Sequence, residues 1–186
     1  EIKHWESYSG DFTITNKTRI VCNKNNNELF EVAQLLSSDY EKMFGIKLKV
    51  EDKISKGGVI SLNIVNNENY GNECYCIDIH ENVVITANSV RGAIWATRTI
   101  LQIAEQNNQS LPKGRIIDYP DYEIRSFMLD CGRKFIPIHF LHEYVDFMSY
   151  YKMNTFHIHL NDNAFKQYFD NDWNKTPSGF RLESDY

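Results

Sequence analysis

The chain has 186 residues, 42% of them hydrophobic and 24% charged, the composition of an ordinary folded domain rather than a disordered or low-complexity chain. Its net charge of −5 and the lack of any long basic cluster argue against a nucleic-acid or anionic-membrane partner. No apolar run approaches the roughly 18 residues that a membrane span requires.

The chain opens Glu1-Ile-Lys-His without an initiator Met or a signal-like apolar core, as a processed chain or a piece of a longer one would. Residues 11–22 alternate and are rich in β-branched side chains, predicting a strand or hairpin. Asn25-Asn-Asn27 supplies a turn and an N-cap for a helix carrying Leu29, Val32, Ala33, Leu36, Tyr40 and Met43 on one face, closed by Gly45. Ile46–Val50 alternates, Gly57-Gly58 turns, and Val59–Val65 reads as a strand. After a polar loop over 66–72, Tyr75–His80 and Val83–Ala87 flank Glu81-Asn82 as an antiparallel hairpin. Asn88 or Ser89 then caps a second helix with Val90, Ala93, Ile94, Thr97, Ile100, Leu101 and Ala104 in one stripe, which ends over 106–112.

The first 110 residues thus predict a mixed sheet of about five strands with two helices, an α+β layered domain. They contain no nucleotide loop, metal cluster or nucleophile motif, so a structural or docking role is expected. Pro112 to Pro120, with Gly114, reads as a short connection, which divides the chain into domains 1–117 and 118–186.

Arg125–Asp130 predicts a strand, Cys131–Ile136 its loop, and Pro137 the first turn of a helix burying Phe140, Leu141, Tyr144, Val145 and Met148. Asn154 ends that helix, and Thr155–Leu160 is a second strand carrying His157 and His159 on one face. Strand, crossover helix and strand form a parallel unit. Residues 163–186 carry no period that would complete another β/α unit, so one sheet face and both edges are expected to stay open.

In parallel α/β architectures ligands bind at the carboxyl ends of strands. Asp130 and Arg133 follow the first of these strands; His159, Asn161, Asp162 and Asn163 follow the second. A guanidinium beside carboxylates and amides suits a polyhydroxylated ligand, although Asp130 and Arg133 could instead pair only to hold their loop. His157 is expected in the interior layers of a barrel as a core histidine.

Cys22, Cys74, Cys76 and Cys131 are too few for a disulfide framework, and Cys74-x-Cys76 does not have the spacing of a zinc knuckle, so free or buried thiols are expected. Sequons occur at Asn16, Asn108 and Asn174, a number an Asn-rich chain reaches by chance.

Arg125-Ser-Phe-Met-Leu-Asp130, Gly132-Arg-Lys-Phe135, Tyr151-Lys-Met-Asn154 and Phe156-His-Ile-His-Leu-Asn-Asp162 resemble the start of the catalytic barrel of glycoside hydrolase family 20, the β-N-acetylhexosaminidases. Tyr75-Cys-Ile-Asp-Ile79, Val83-Val-Ile-Thr-Ala87 and Gly92-Ala-Ile-Trp-Ala-Thr-Arg-Thr-Ile-Leu-Gln102 are similar to that family's accessory domain, and Asp118-Tyr-Pro120 to its junction. The resemblance implies an α+β accessory domain followed by a (β/α)8 TIM barrel that here reaches only about its second strand, against the about 250 residues of a whole one.

It further implies retaining, substrate-assisted hydrolysis of terminal β-linked N-acetylhexosamine. The substrate's acetamido oxygen attacks the anomeric carbon while an adjacent Asp-Glu pair assists. No Asp is followed directly by Glu in this sequence, so these residues alone are expected to be inactive. By the resemblance Arg133 grips hydroxyls of the non-reducing sugar, Asp130 orients the arginine, and Asp162 and His159 support the catalytic acid. No cofactor or metal is implied. The partner is a glycan, and the location is outside the cytoplasm.

Lys134 stands where the family usually has His, Asp162-Asn163 replaces Asp-Asp, and Ala164-Phe-Lys-Gln replaces Gln-Gly-Trp-Arg. This pattern is closer to lacto-N-biosidases, which release a disaccharide. Two further readings stay open: a metal-dependent amidohydrolase-like barrel using His157 and His159, and a non-catalytic carbohydrate-binding fragment.

Overall fold

A computed structural model describes residues 2–53, 58–65, 71–160, 170–172 and 175. The chain forms two compact units, Glu1–Asp121 and Tyr122–Tyr186.

The first unit is a seven-stranded mixed sheet. Its strands are β1 (His4–Thr13), β2 (Arg19–Val21), β3 (Lys49–Glu51), β4 (Val59–Ile64), β5 (Tyr75–Ile79), β6 (Val83–Ala87) and β7 (Ser110–Asp118), in the spatial order β1-β7-β5-β6-β4-β2-β3. The helices are α1 (Asn27–Phe44) and α2 (Val90–Gln106). Alternation sends Ile77, Ile79, Ile85 and Ile116 into a fully buried layer, where they meet Leu36 and Tyr40 of α1 and Ile100 and Ala104 of α2. The side chain of Asn26 accepts from the Leu29 N–H at 3.0 Å to start α1. Gly45 ends that helix at φ +71°, a left-handed conformation that glycine adopts without a Cβ penalty.

The hairpin around Glu81-Asn82 pairs antiparallel as expected, with Tyr75 opposite Ala87 and Ile79 opposite Val83. Two expectations need correction. Residues 11–22 do not fold as a hairpin: β1 lies on one edge of the sheet and β2 next to the other, because α1 carries the chain into a parallel pairing of β2 with β3. Nor is the stretch from Pro112 to Pro120 a loop. It belongs mostly to β7, an interior strand antiparallel to both β1 and β5. Pro112 is tolerated because it lies beyond the β5 pairing, which runs from Gly114 to Asp118, and faces β1 where a bulge already interrupts the ladder. The sheet therefore has seven strands where about five were expected, and the expected division after residue 117 falls inside β7.

In the second unit, β8 (Ser126–Asp130), α3 (Ile138–Tyr150) and β9 (Thr155–His159) form a right-sized crossover, and the two strands pair parallel, Ser126 with Thr155 through Asp130 with His159. Tyr144 stacks on Phe127 at 5.2 Å and lies 6.3 Å from Phe156, which fixes the helix on one sheet face. The expected buried stripe is incomplete. Only Met148 of α3 is buried, while Phe140 is 39% and Val145 50% exposed, since two strands cannot cover a three-turn helix. His157 is exposed here: it stands on the strand face away from α3 with Met128 opposite, the face that lines the interior only when a barrel is closed.

Candidate functional site

Asp130 is the last residue of β8 and His159 the last of β9, and the register sets them side by side. The His159 carbonyl accepts from both the Cys131 N–H at 2.9 Å and the Gly132 N–H at 2.8 Å. Two donors on one strand-end carbonyl fold the β8 loop back over β9, with the Cys131 side chain buried at 3% exposure as its anchor. Asp130 then completes the turn: its Oδ1 accepts from the Arg133 backbone N–H at 2.9 Å and its Oδ2 from the Arg133 guanidinium at 2.8 Å. The pair that was expected to hold a loop or to bind a ligand does hold the loop, and in doing so it aims a half-exposed guanidinium.

The electrostatics agree with the geometry. The Arg133 backbone N–H, followed by its guanidinium and the nearby His159, holds the Asp130 carboxyl below the usual carboxylate range, against the opposing effect of desolvation. Asp130 therefore stays an anion and Arg133 keeps its counter-charge. A fixed cation and a fixed acceptor pair at the end of adjacent parallel strands can orient hydroxyl groups.

Asp162, together with Asn161 and Asn163, lies outside the described residues. Among the described residues, no three His, Cys, Asp or Glu side chains group as a metal site. The role of the His159 carbonyl left no trace in the sequence, because any residue supplies a carbonyl. The Arg125–Asn154 tie at the opposite end of the strands was equally hidden: the Arg125 N–H donates to Asn154 Oδ1 at 2.9 Å, and Asn154 Nδ2 donates to the Glu123 carbonyl at 2.7 Å. None of the four cysteines is in a disulfide, and Cys22, Cys74 and Cys131 are buried.

Comparison with known families supplies the frame for this geometry. Residues 1–119 match the model of glycosyl hydrolase family 20, domain 2, and residues 122–171 match that family's catalytic domain. The chain belongs to glycosyl hydrolase family 20.

Among curated family 20 relatives, a β-hexosaminidase of Porphyromonas gingivalis is 28% identical over 162 residues, covering 81% of this chain and 21% of the relative. One from Akkermansia muciniphila is 41% identical over 75 residues, 39% of this chain and 15% of the relative. The solved structure of the family 20 β-N-acetylhexosaminidase of Streptomyces coelicolor superposes with a TM-score of 0.71 at 26% identity, covering 87% of this chain and 34% of that one. The chain thus spans about a fifth or less of these curated relatives and a third of that structure. Within family 20 terms, the first unit is the accessory domain and the second the beginning of the catalytic domain.

Proposed function

We propose that the protein to which this chain contributes is a glycosidase that removes terminal β-linked N-acetylhexosamine from glycans, by the retaining, substrate-assisted route of its family. The observation that carries the reading is the Asp130–Arg133 clamp at the end of the first strand of a family 20 catalytic domain. Arg133 grips hydroxyls at the non-reducing end of the sugar, Asp130 keeps it aimed, and Asp162 and His159 support the general acid. The Asp-Glu pair that handles the acetamido group and the leaving oxygen is absent from these 186 residues, which we infer are inactive alone. By the family resemblance we further propose that the protein acts outside the cytoplasm.

The test is steady-state turnover of para-nitrophenyl N-acetyl-β-glucosaminide, the corresponding galactosaminide and the lacto-N-bioside. The full-length protein is expected to cleave at least one; cleavage of none overturns the reading. Turnover of the lacto-N-bioside alone replaces removal of single N-acetylhexosamine residues by disaccharide release, the alternative that the Asp162-Asn163 form of the motif resembles. Turnover by residues 1–186 alone contradicts their inferred inactivity.

A further inference from the structure

The two helices cover one face of the seven-stranded sheet. On the other face the β5–β6 and β5–β7 registers gather Cys76 beside Thr86 and Ile117, and Asp78 beside Arg115. With Asn88, these side chains line a pocket of about 250 Å³. That is slightly below the roughly 300 Å³ at which sites for drug-sized ligands begin, so it suits one small ring rather than a cofactor. Its polar equipment is balanced. The Arg115 Nε lies 3.6 Å from Asp78 Oδ1, both side chains are partly exposed, and Asn88 and Thr86 add an amide and a hydroxyl. A guanidinium neutralised by its neighbour does not select an anion, and a carboxylate so paired does not select a cation. Such a group of neighbouring donors and acceptors fits a neutral polyhydroxylated ligand.

A second feature adjoins it. The ring of Tyr8, from the bulged part of β1, stacks on the ring of His80 at 4.9 Å and 18°. His80 is exposed and lies two residues beyond Asp78, while the Tyr8 phenol sits first beside the Glu6 carboxylate, which pairs opposite Arg115, and then near Asp78 and Arg115, so the face carries one more carboxylate than guanidinium and disfavours an anionic sugar. A flat, partly exposed aromatic pair beside paired polar groups offers what a pyranose needs, a platform for its C–H face and partners for its hydroxyls.

We propose that this face of the accessory domain binds a neutral glycan chain, one sugar lying on Tyr8–His80 and a neighbouring one reaching Asp78, Arg115 and Asn88. The site is distinct from the Arg133 site and does not depend on turnover.

The experiment is an NMR titration of the 186-residue chain with an N-acetylglucosamine hexasaccharide, with a sialylated oligosaccharide in parallel. Shifts are expected at the amides of Tyr8, Asp78, His80 and Arg115, without tighter binding of the sialylated sugar. His80→Ala and Tyr8→Ala, both at partly exposed positions, are expected to weaken binding about fivefold or more while the spectrum stays folded, and Arg133→Ala to leave the shifts at those four amides unchanged. Absence of shifts at millimolar sugar overturns the proposal, as does binding that only Arg133→Ala weakens. If the same resonances move with protein concentration alone, the face is a contact between copies and the proposal falls.

Discussion

Arg133 is bound twice by Asp130, through its backbone N–H to one carboxylate oxygen at 2.9 Å and through its guanidinium to the other at 2.8 Å. The bond to the main chain makes the carboxylate part of the loop; the bond to the side chain fixes where the loop holds the guanidinium. Replacing Asp130 by Asn keeps one acceptor but removes the charge. In the full-length protein Asp130→Asn and Arg133→Ala are both expected to raise KM about tenfold or more, measured by steady-state kinetics. If Arg133→Ala leaves KM unaltered, the sugar-gripping role is lost; if only Asp130→Asn does, the aiming role is.

The same clamp has a pH signature. Because the folded carboxyl of Asp130 lies below its ordinary value of 3.8, the clamp is fully present above that value and is lost as pH falls through the lower, folded one. A carbon-detected NMR titration of the Asp130 carboxyl should give a midpoint below 3.8. Arg133→Ala, which keeps the backbone N–H and removes the guanidinium, should move it only part of the way back up.

In the accessory domain, the Tyr75 hydroxyl donates to Asp118 Oδ2 at 2.6 Å and lies 2.6 Å from Thr99 Oγ1. Tyr75→Phe removes a donor from a buried carboxylate and is expected to cost about 1–3 kcal/mol, read as a lower Tm or denaturation midpoint. Burial, and then the charge of Asp118, raise the Tyr75 phenol above its ordinary value of 10.0. The folded state therefore holds that proton more tightly than the unfolded one, and stability should begin to fall as pH rises past 10.0. Tyr75→Phe should flatten this alkaline loss.

At Gly114 β7 lies close against β1. A Cβ there would sit 2.3 Å from the Glu6 carbonyl oxygen and 2.4 Å from the Trp5 ring. Gly114→Ala is expected to destabilise the sheet edge by about 1–3 kcal/mol, measured by chemical denaturation. Trp5→Leu in the same chain should not restore the loss, because the Glu6 carbonyl belongs to the backbone.

Asn154 ties the start of β9 to the entry of β8, its side chain accepting from the Arg125 N–H and donating to the Glu123 carbonyl. Asn154→Ala should cost about 1–2 kcal/mol in the second unit, and Asn154→Asp, which keeps only the acceptor, should lose less. Hydrogen exchange at the Arg125 amide is the direct readout.

The helices, the β5–β6 hairpin and the strand–helix–strand unit were legible because each is declared locally, by a 3.6 or 2.0 period with a cap or turn at its end. Asn26, Gly45 and Ser89 mark helix ends within the segments that they close. Arg133 and Asp130 were legible as site candidates because they follow a recognisable strand. β7 was not, since Pro112 and Gly114 look like a break until β1's bulge and the Trp5 ring are seen to need them. The missing burial of α3 was hidden as well, for periodicity names the face a helix offers and says nothing of how much surface exists to receive it.

By itself, then, the chain's order of residues determined the three helices, the β5–β6 hairpin and the strand–helix–strand unit, the family they belong to, and that Asp130 and Arg133 stand at a strand end. Only the tertiary structure decided the strand order that separates β1 from β2, the His159 carbonyl that folds the loop, and the open polar face carrying Tyr8, His80 and Arg115. The reason is physical. Period and caps are short-range properties of the chain, whereas register and strand-end carbonyls are made by residues far apart in sequence, through backbone atoms that all residues share.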